Sequence, residues 1–76
     1  MKAWTSTDET VEVHPGERVY LLCNRGDCYE FVMQDSLTGQ EAERWIANRD
    51  DVNGGISYFV VRAADIKRYC DTHDMR

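Results

Sequence analysis

Two alternating apolar runs, 18–23 and 28–33, flank Asn24-Arg25-Gly26-Asp27, and this pattern constrains the fold more than any other feature of the chain. Period-two alternation around a Gly-containing turn specifies a β-hairpin. With Cys23 set opposite Cys28, Leu22 falls opposite Tyr29 and Tyr20 opposite Phe31. Tyr20, Leu22, Tyr29, Phe31 and Met33 then share one face, expected to be the main core surface. Val19, Leu21, Val32, Glu30 and both cysteines share the other.

The remaining segments join this hairpin in one unit. Residues 1–10 are polar apart from Met1, Ala3 and Trp4, and read as a flexible arm or an edge strand. Val11 and Val13 alternate around Glu12 as in a strand, and His14-Pro15-Gly16-Glu17 reads as a turn, Pro fixing φ and Gly taking positive φ. Thr38-Gly39-Gln40-Glu41 matches a capping box, after which Ala42, Trp45 and Ile46 recur at helical spacing. The 56–62 run is apolar on both faces, as an internal strand would be. Ile66, Tyr69, Cys70 and His73 fall on one face of a second short helix. The expected fold is a single α+β domain over 1–76, with order β-β-β-α-β-α. It has a small antiparallel or mixed sheet of about four strands and two short helices packed on it.

Charge narrows the function. Fourteen acidic against nine basic residues give a net charge of −5. Direct nucleic-acid binding needs a basic face that releases counterions, and anionic membranes need one as well. The expected partner is a basic protein or protein complex, whose approach an acidic surface accelerates. With 76 residues the chain is close to the size at which dimerisation or a metal helps a domain fold, so a homodimer fits. An odd count of three cysteines and no run of apolar residues long enough for a membrane span point to a reduced, cytoplasmic setting.

The cysteines leave three alternatives open. If the first helix crosses over between parallel strands, the 56–62 strand starts near the hairpin tip and the second helix returns toward it. Cys23, Cys28, Cys70 and His73 then converge as a Cys3His zinc set, which would make the chain a small zinc-stabilised interaction module. Packed or free thiols are the plainer reading, since Cys70 and His73 also continue an apolar stripe. A thiol redox protein built on Cys23 and Cys28 is the third. Catalysis finds little support: His14 precedes Pro15 in an exposed turn, and no third group orients an imidazole beside a nucleophile. No Gly-rich loop precedes a helix to hold phosphate, so no cofactor is expected.

Acidic side chains are the better candidates. Glu41, Glu43, Asp50 and Asp51 lie along the first helix and just past its end, and Asp8, Glu9 and Glu12 lie near the N-terminus. Such carboxylates can stand in for phosphates in a basic groove, with aromatics such as Trp4 or Tyr58 as anchors. In its acidity, its 5–12 arm, its aromatic 20–33 hairpin and its acidic 41–51 helix, the chain resembles the small acidic anti-defence proteins of phages and mobile elements, the anti-CRISPR proteins among them. The resemblance implies a non-catalytic, stoichiometric inhibitor or adaptor. It would bind a nucleic-acid-handling complex and block its nucleic-acid site or its effector recruitment.

Overall fold

A computed structural model describes residues 1–26, 28–49 and 56–73, with Arg25 and Cys28 described through their backbone. The elements are β1 (Lys2–Trp4), β2 (Thr10–Glu12), β3 (Arg18–Arg25), β4 (Cys28–Phe31), β5 (Leu37–Thr38), α1 (Gly39–Ala47), β6 (Ile56–Arg62) and α2 (Ile66–Thr72). The class is α+β, but the sheet is larger than the four strands the sequence suggests. Six strands form one mixed sheet in the order β2-β1-β6-β3-β4, and β5 also pairs with β3. The extra strands are β1 and β5, too short for their alternation to register as a pattern. Among the described residues, no helix is long and apolar enough to cross a membrane.

The N-terminal stretch is neither an arm nor an edge. β1 pairs antiparallel with β2 and parallel with β6, with Trp4 beside Val61. Ala3 is fully buried there, and that burial draws the strand into the sheet. β2 forms the edge instead. The link between β1 and β2 is a tight turn in which the Asp8 amide donates to the Thr5 carbonyl at 3.2 Å. Asp8 then takes φ 63°, the left-handed position that Gly usually fills and Asp tolerates.

The hairpin forms, in a different register. Arg25 pairs with Cys28, Asn24 with Tyr29, Cys23 with Glu30 and Leu22 with Phe31. The connection is therefore Gly26 and Asp27 alone, with Asp27 outside the described residues. Gly26 at φ 79° supplies the positive φ that a two-residue hairpin loop demands at its first position, and this closes the turn two residues tighter. Cys23 and Cys28 are consequently not opposite each other. Gly16, by contrast, does not use the left-handed region; the Glu17 amide still closes the turn onto the His14 carbonyl at 3.0 Å.

β6 is internal, flanked by β1 and β3, and Ile56 starts beside Arg25 at the hairpin end. β6 runs antiparallel to β3, hence parallel to β4, and α1 makes the crossover. The Thr38–Glu41 capping box starts α1: the Glu41 amide donates to Thr38 Oγ1 at 3.2 Å and the Thr38 amide donates to Glu41 Oε1 at 3.0 Å.

The two helices cover opposite faces of the sheet. Under α1, Ala3, Val13, Val19, Leu21, Ala42 and Val60 form the larger buried cluster, with Trp45 and Ile46 packed against it. Under α2, Leu22, Val61 and Tyr69 are buried, flanked by Tyr20, Phe31, Phe59 and Ile66. The main core thus lies on the face opposite to the one the sequence favours. Small aliphatic side chains let α1 approach closely, whereas α2 has only seven residues to cover a broad aromatic face. Met33 packs on the α1 side because the chain leaves the strand after Phe31 and alternation ends there.

Candidate functional site

The incompletely covered aromatic face carries the site. Strand alternation that buries Ala3 turns Trp4 toward the α2 side. Among the described residues Trp4 is the one large apolar side chain left exposed, at 40%. It stands at a cleft of about 430 Å³ whose walls include Asp8, Asn24, Tyr29, Phe59 and Tyr69. Tyr29 meets Phe59 and Tyr69 edge-on, with centroids 6.0 and 6.5 Å apart. Such T-shaped contacts fix ring orientation as well as burying area. Burial, followed by neighbouring Tyr29 and Asp8, pushes the Tyr69 phenol up to about 12. It stays a neutral phenol at neutral pH.

The rim is acidic. The left-handed backbone at Asp8 directs its carboxylate, 79% exposed, to His73 at the end of α2, with Oδ1 3.3 Å from Nε2. The His73 ring stacks on Tyr69 at 4.0 Å and 9°. Its Nδ1 lies 3.1 Å from the Tyr69 carbonyl oxygen, and Nε2 is the ring nitrogen that faces the carboxylate. Asn24 Oδ1, in the cleft wall, is buried with no hydrogen-bond partner among the described residues.

Each expected site residue can now be placed. Asp8 and His73, assigned by sequence to different sites, are brought together. Glu9 is exposed in the same turn as Asp8. Glu12 is exposed on the edge strand and pairs with the N-terminal ammonium at 3.3 Å. Glu41 and Glu43 are exposed on α1, over the other face. Glu41 is engaged locally: the Thr38 amide and then the Thr38 hydroxyl, donating to it, hold its carboxyl below the usual glutamate value. Asp50 and Asp51 lie outside the described residues. The described acidic candidates therefore form no continuous stripe.

The metal set is not assembled from the described side chains. Cys23 is 4% exposed and shares the face of Leu21, while Cys70 lies on α2 across the sheet. Cys70 borders a second hollow of about 370 Å³ with Tyr20, Phe31 and Lys67, whereas His73 turns to Asp8. The Cys28 side chain lies outside the described set. Among the described residues, no three of His, Cys, Asp and Glu come together in a metal-holding group. Burial, and secondarily Asp71, pushes the Cys70 thiol up, the opposite of a nucleophilic cysteine.

The Asp8–His73 pair has the look of a base and its orienting group, but its hydroxyl neighbour is poorly suited to attack. Thr72 Oγ1 lies 3.1 Å from His73 Nδ1, yet it also donates to the Arg68 and Tyr69 carbonyls. What the arrangement offers is a recognition surface: an aromatic cleft, an anionic rim and an unsatisfied acceptor. Sequence reading named Trp4 as an anchor but missed the cleft, because Trp4 and Asp8 join Asn24, Tyr29, Phe59 and Tyr69 only once β1 is placed beside β6. Compared with protein-family models, curated proteins and solved structures, the chain shows no match.

Proposed function

We propose that this protein is a non-catalytic binding protein that engages a basic protein partner through the Trp4 cleft. The observation that carries the reading is Trp4 itself, an exposed indole at the lip of an aromatic cleft in a chain of net charge −5. Exposed aromatics beside concave surfaces supply most of the energy in protein interfaces. Asp8 and Glu9, in the adjoining turn, select a cationic partner and raise its on-rate. Glu43 adds to the overall field. A stoichiometric inhibitor or adaptor of a nucleic-acid-handling complex is the concrete form of this reading, since such complexes present the basic surfaces that an acidic chain seeks.

The experiment is affinity capture from the heparin-retained fraction of a nuclease-treated cell lysate, with wild-type protein and Trp4→Ala on parallel columns. The reading expects a defined protein to be retained by wild type, displaced by salt and by a competing duplex oligonucleotide, and lost on the Trp4→Ala column. Equal retention by both columns contradicts it.

A further inference from the structure

We propose that the Trp4 cleft is a guanidinium site, which takes an arginine side chain of the partner with Asp8 as its counter-ion. This rests on the reading of a basic protein partner and names the group by which that partner is held. Four observations converge on it. The walls are aromatic, with Trp4, Tyr29, Phe59 and Tyr69 in the lining, and π-faces attract cations. An anionic side chain, Asp8, itself in the left-handed region, stands at the rim with Oδ1 3.3 Å from His73 Nε2. The described lining includes no lysine or arginine to repel a cation. Among the described residues Asn24 Oδ1 has no hydrogen-bond donor, and its amide torsion is soft enough to turn the oxygen toward a donor that enters.

These features distinguish guanidinium from its rivals. A phosphate or a nucleotide would meet the Asp8 carboxylate, with no lysine or arginine in the described lining to offset it. A quaternary ammonium would leave the Asn24 oxygen unmet, having no N–H to give. An ammonium lacks the plane that stacks on a ring and is more strongly hydrated than guanidinium. The protein already uses this chemistry internally: the Arg49 guanidinium lies 4.6 Å from the Trp45 ring centroid and donates at 3.1 Å to the hydroxyl of Tyr58, a residue that also borders the cleft. The second hollow, bordered by Lys67, has no acidic residue in its described lining and does not suit a cation.

The test is a titration of the full chain, followed through the Trp4 indole and the tyrosine ring signals by NMR. The probes are N-acetyl-arginine methylamide, its lysine counterpart, free arginine and tetramethylammonium. The arginine amide is expected to saturate with a dissociation constant on the order of 1 mM, as a single stacked, ion-paired group allows. The lysine amide should bind about fivefold more weakly or worse. Asp8→Asn keeps a side chain that tolerates the left-handed backbone and should weaken the arginine amide about fivefold or more. Free arginine binding more tightly than the amide would overturn a peptide source, and tetramethylammonium binding equally well would overturn guanidinium recognition. Absence of saturation by the arginine amide also overturns the site, while a protein still captured by wild type and lost by Trp4→Ala would leave the partner reading standing.

Discussion

Asp8 Oδ1 lies 3.3 Å from His73 Nε2, although the two residues are 65 positions apart in the chain. The contact joins the β1–β2 turn to the end of α2 and frames one side of the aromatic cleft. His73 is held from three sides: by Asp8, by stacking on Tyr69 and by an edge contact with Tyr29 at 5.6 Å. The exposed carboxylate contributes little to stability, because solvent screens it. The stacking contributes more. His73→Ala should therefore cost about 1–2 kcal/mol, and Asp8→Asn less than about 1 kcal/mol, in urea unfolding. Equal costs would place the weight on the Asp8–His73 contact instead.

Gly39 makes a prediction of reversed sign. Ala normally stabilises a helix relative to Gly by about 0.5–1 kcal/mol. Here a Cβ would sit 2.7 Å from the His14 carbonyl oxygen and 3.2 Å from Val13 Cγ1. The first turn of α1 packs directly on the 14–17 turn, with the Gly39 amide donating to the Glu17 carbonyl at 2.8 Å. Gly39→Ala should destabilise by about 1–3 kcal/mol, the range for forced overpacking. A raised melting temperature would show that the turn yields freely.

The capping box gives a pH dependence. The Glu41 carboxyl is depressed in the folded state by hydrogen bonds from Thr38. A depressed acid contributes stability that is fully present above its unfolded value and is lost as pH falls through its folded value. The stability difference between wild type and Glu41→Gln should therefore be largest near neutral pH and vanish in strong acid. Thr38→Ala, which removes the other half of the box, should cost about 1 kcal/mol. A Glu41→Gln difference independent of pH would remove the charge from the explanation.

Sequence made part of this legible and left part of it hidden, for physical reasons. The capping box, the internal β6 strand and the hairpin faces up to Phe31 rest on local patterns of four or more residues, and the return of α2 toward the hairpin tip follows once α1 is a crossover. β1 has three residues, and its place beside β6 depends on Ala3 fitting a site that other strands create. The hairpin register turned on whether Gly26 closed a two-residue or a four-residue loop, which alternation alone cannot decide. Asp8 fills a left-handed position where Gly is the usual signal. Cys23 and Cys28 are near in sequence, and the return of α2 toward the hairpin tip suggested that Cys70 joins them. A two-residue loop separates their pairing, and the sheet itself stands between Cys23 and Cys70.

Thiol chemistry follows from that placement. Cys70 is partly accessible but its thiol is pushed up by burial and by Asp71. Raised thiols react slowly at neutral pH, since the thiolate is the nucleophile. Iodoacetamide modification of Cys70, read by mass spectrometry, should have a pH midpoint above the ordinary thiol value, and Cys23 should be protected until unfolding. A midpoint below the ordinary value would contradict the burial of the Cys70 thiol, and modification of Cys23 in the folded protein would contradict its protection.

Binding through the Trp4 cleft is the central claim, and one affinity ratio tests it most directly. The captured partner, once purified, is titrated by interferometry against wild-type protein and against Trp4→Ala, with folding of both checked by NMR. Loss of a central aromatic anchor costs about 2 kcal/mol or more, so the variant should bind about thirtyfold more weakly. Affinities within about twofold of each other, well below that anchor cost, would contradict the account and move the interface away from this cleft.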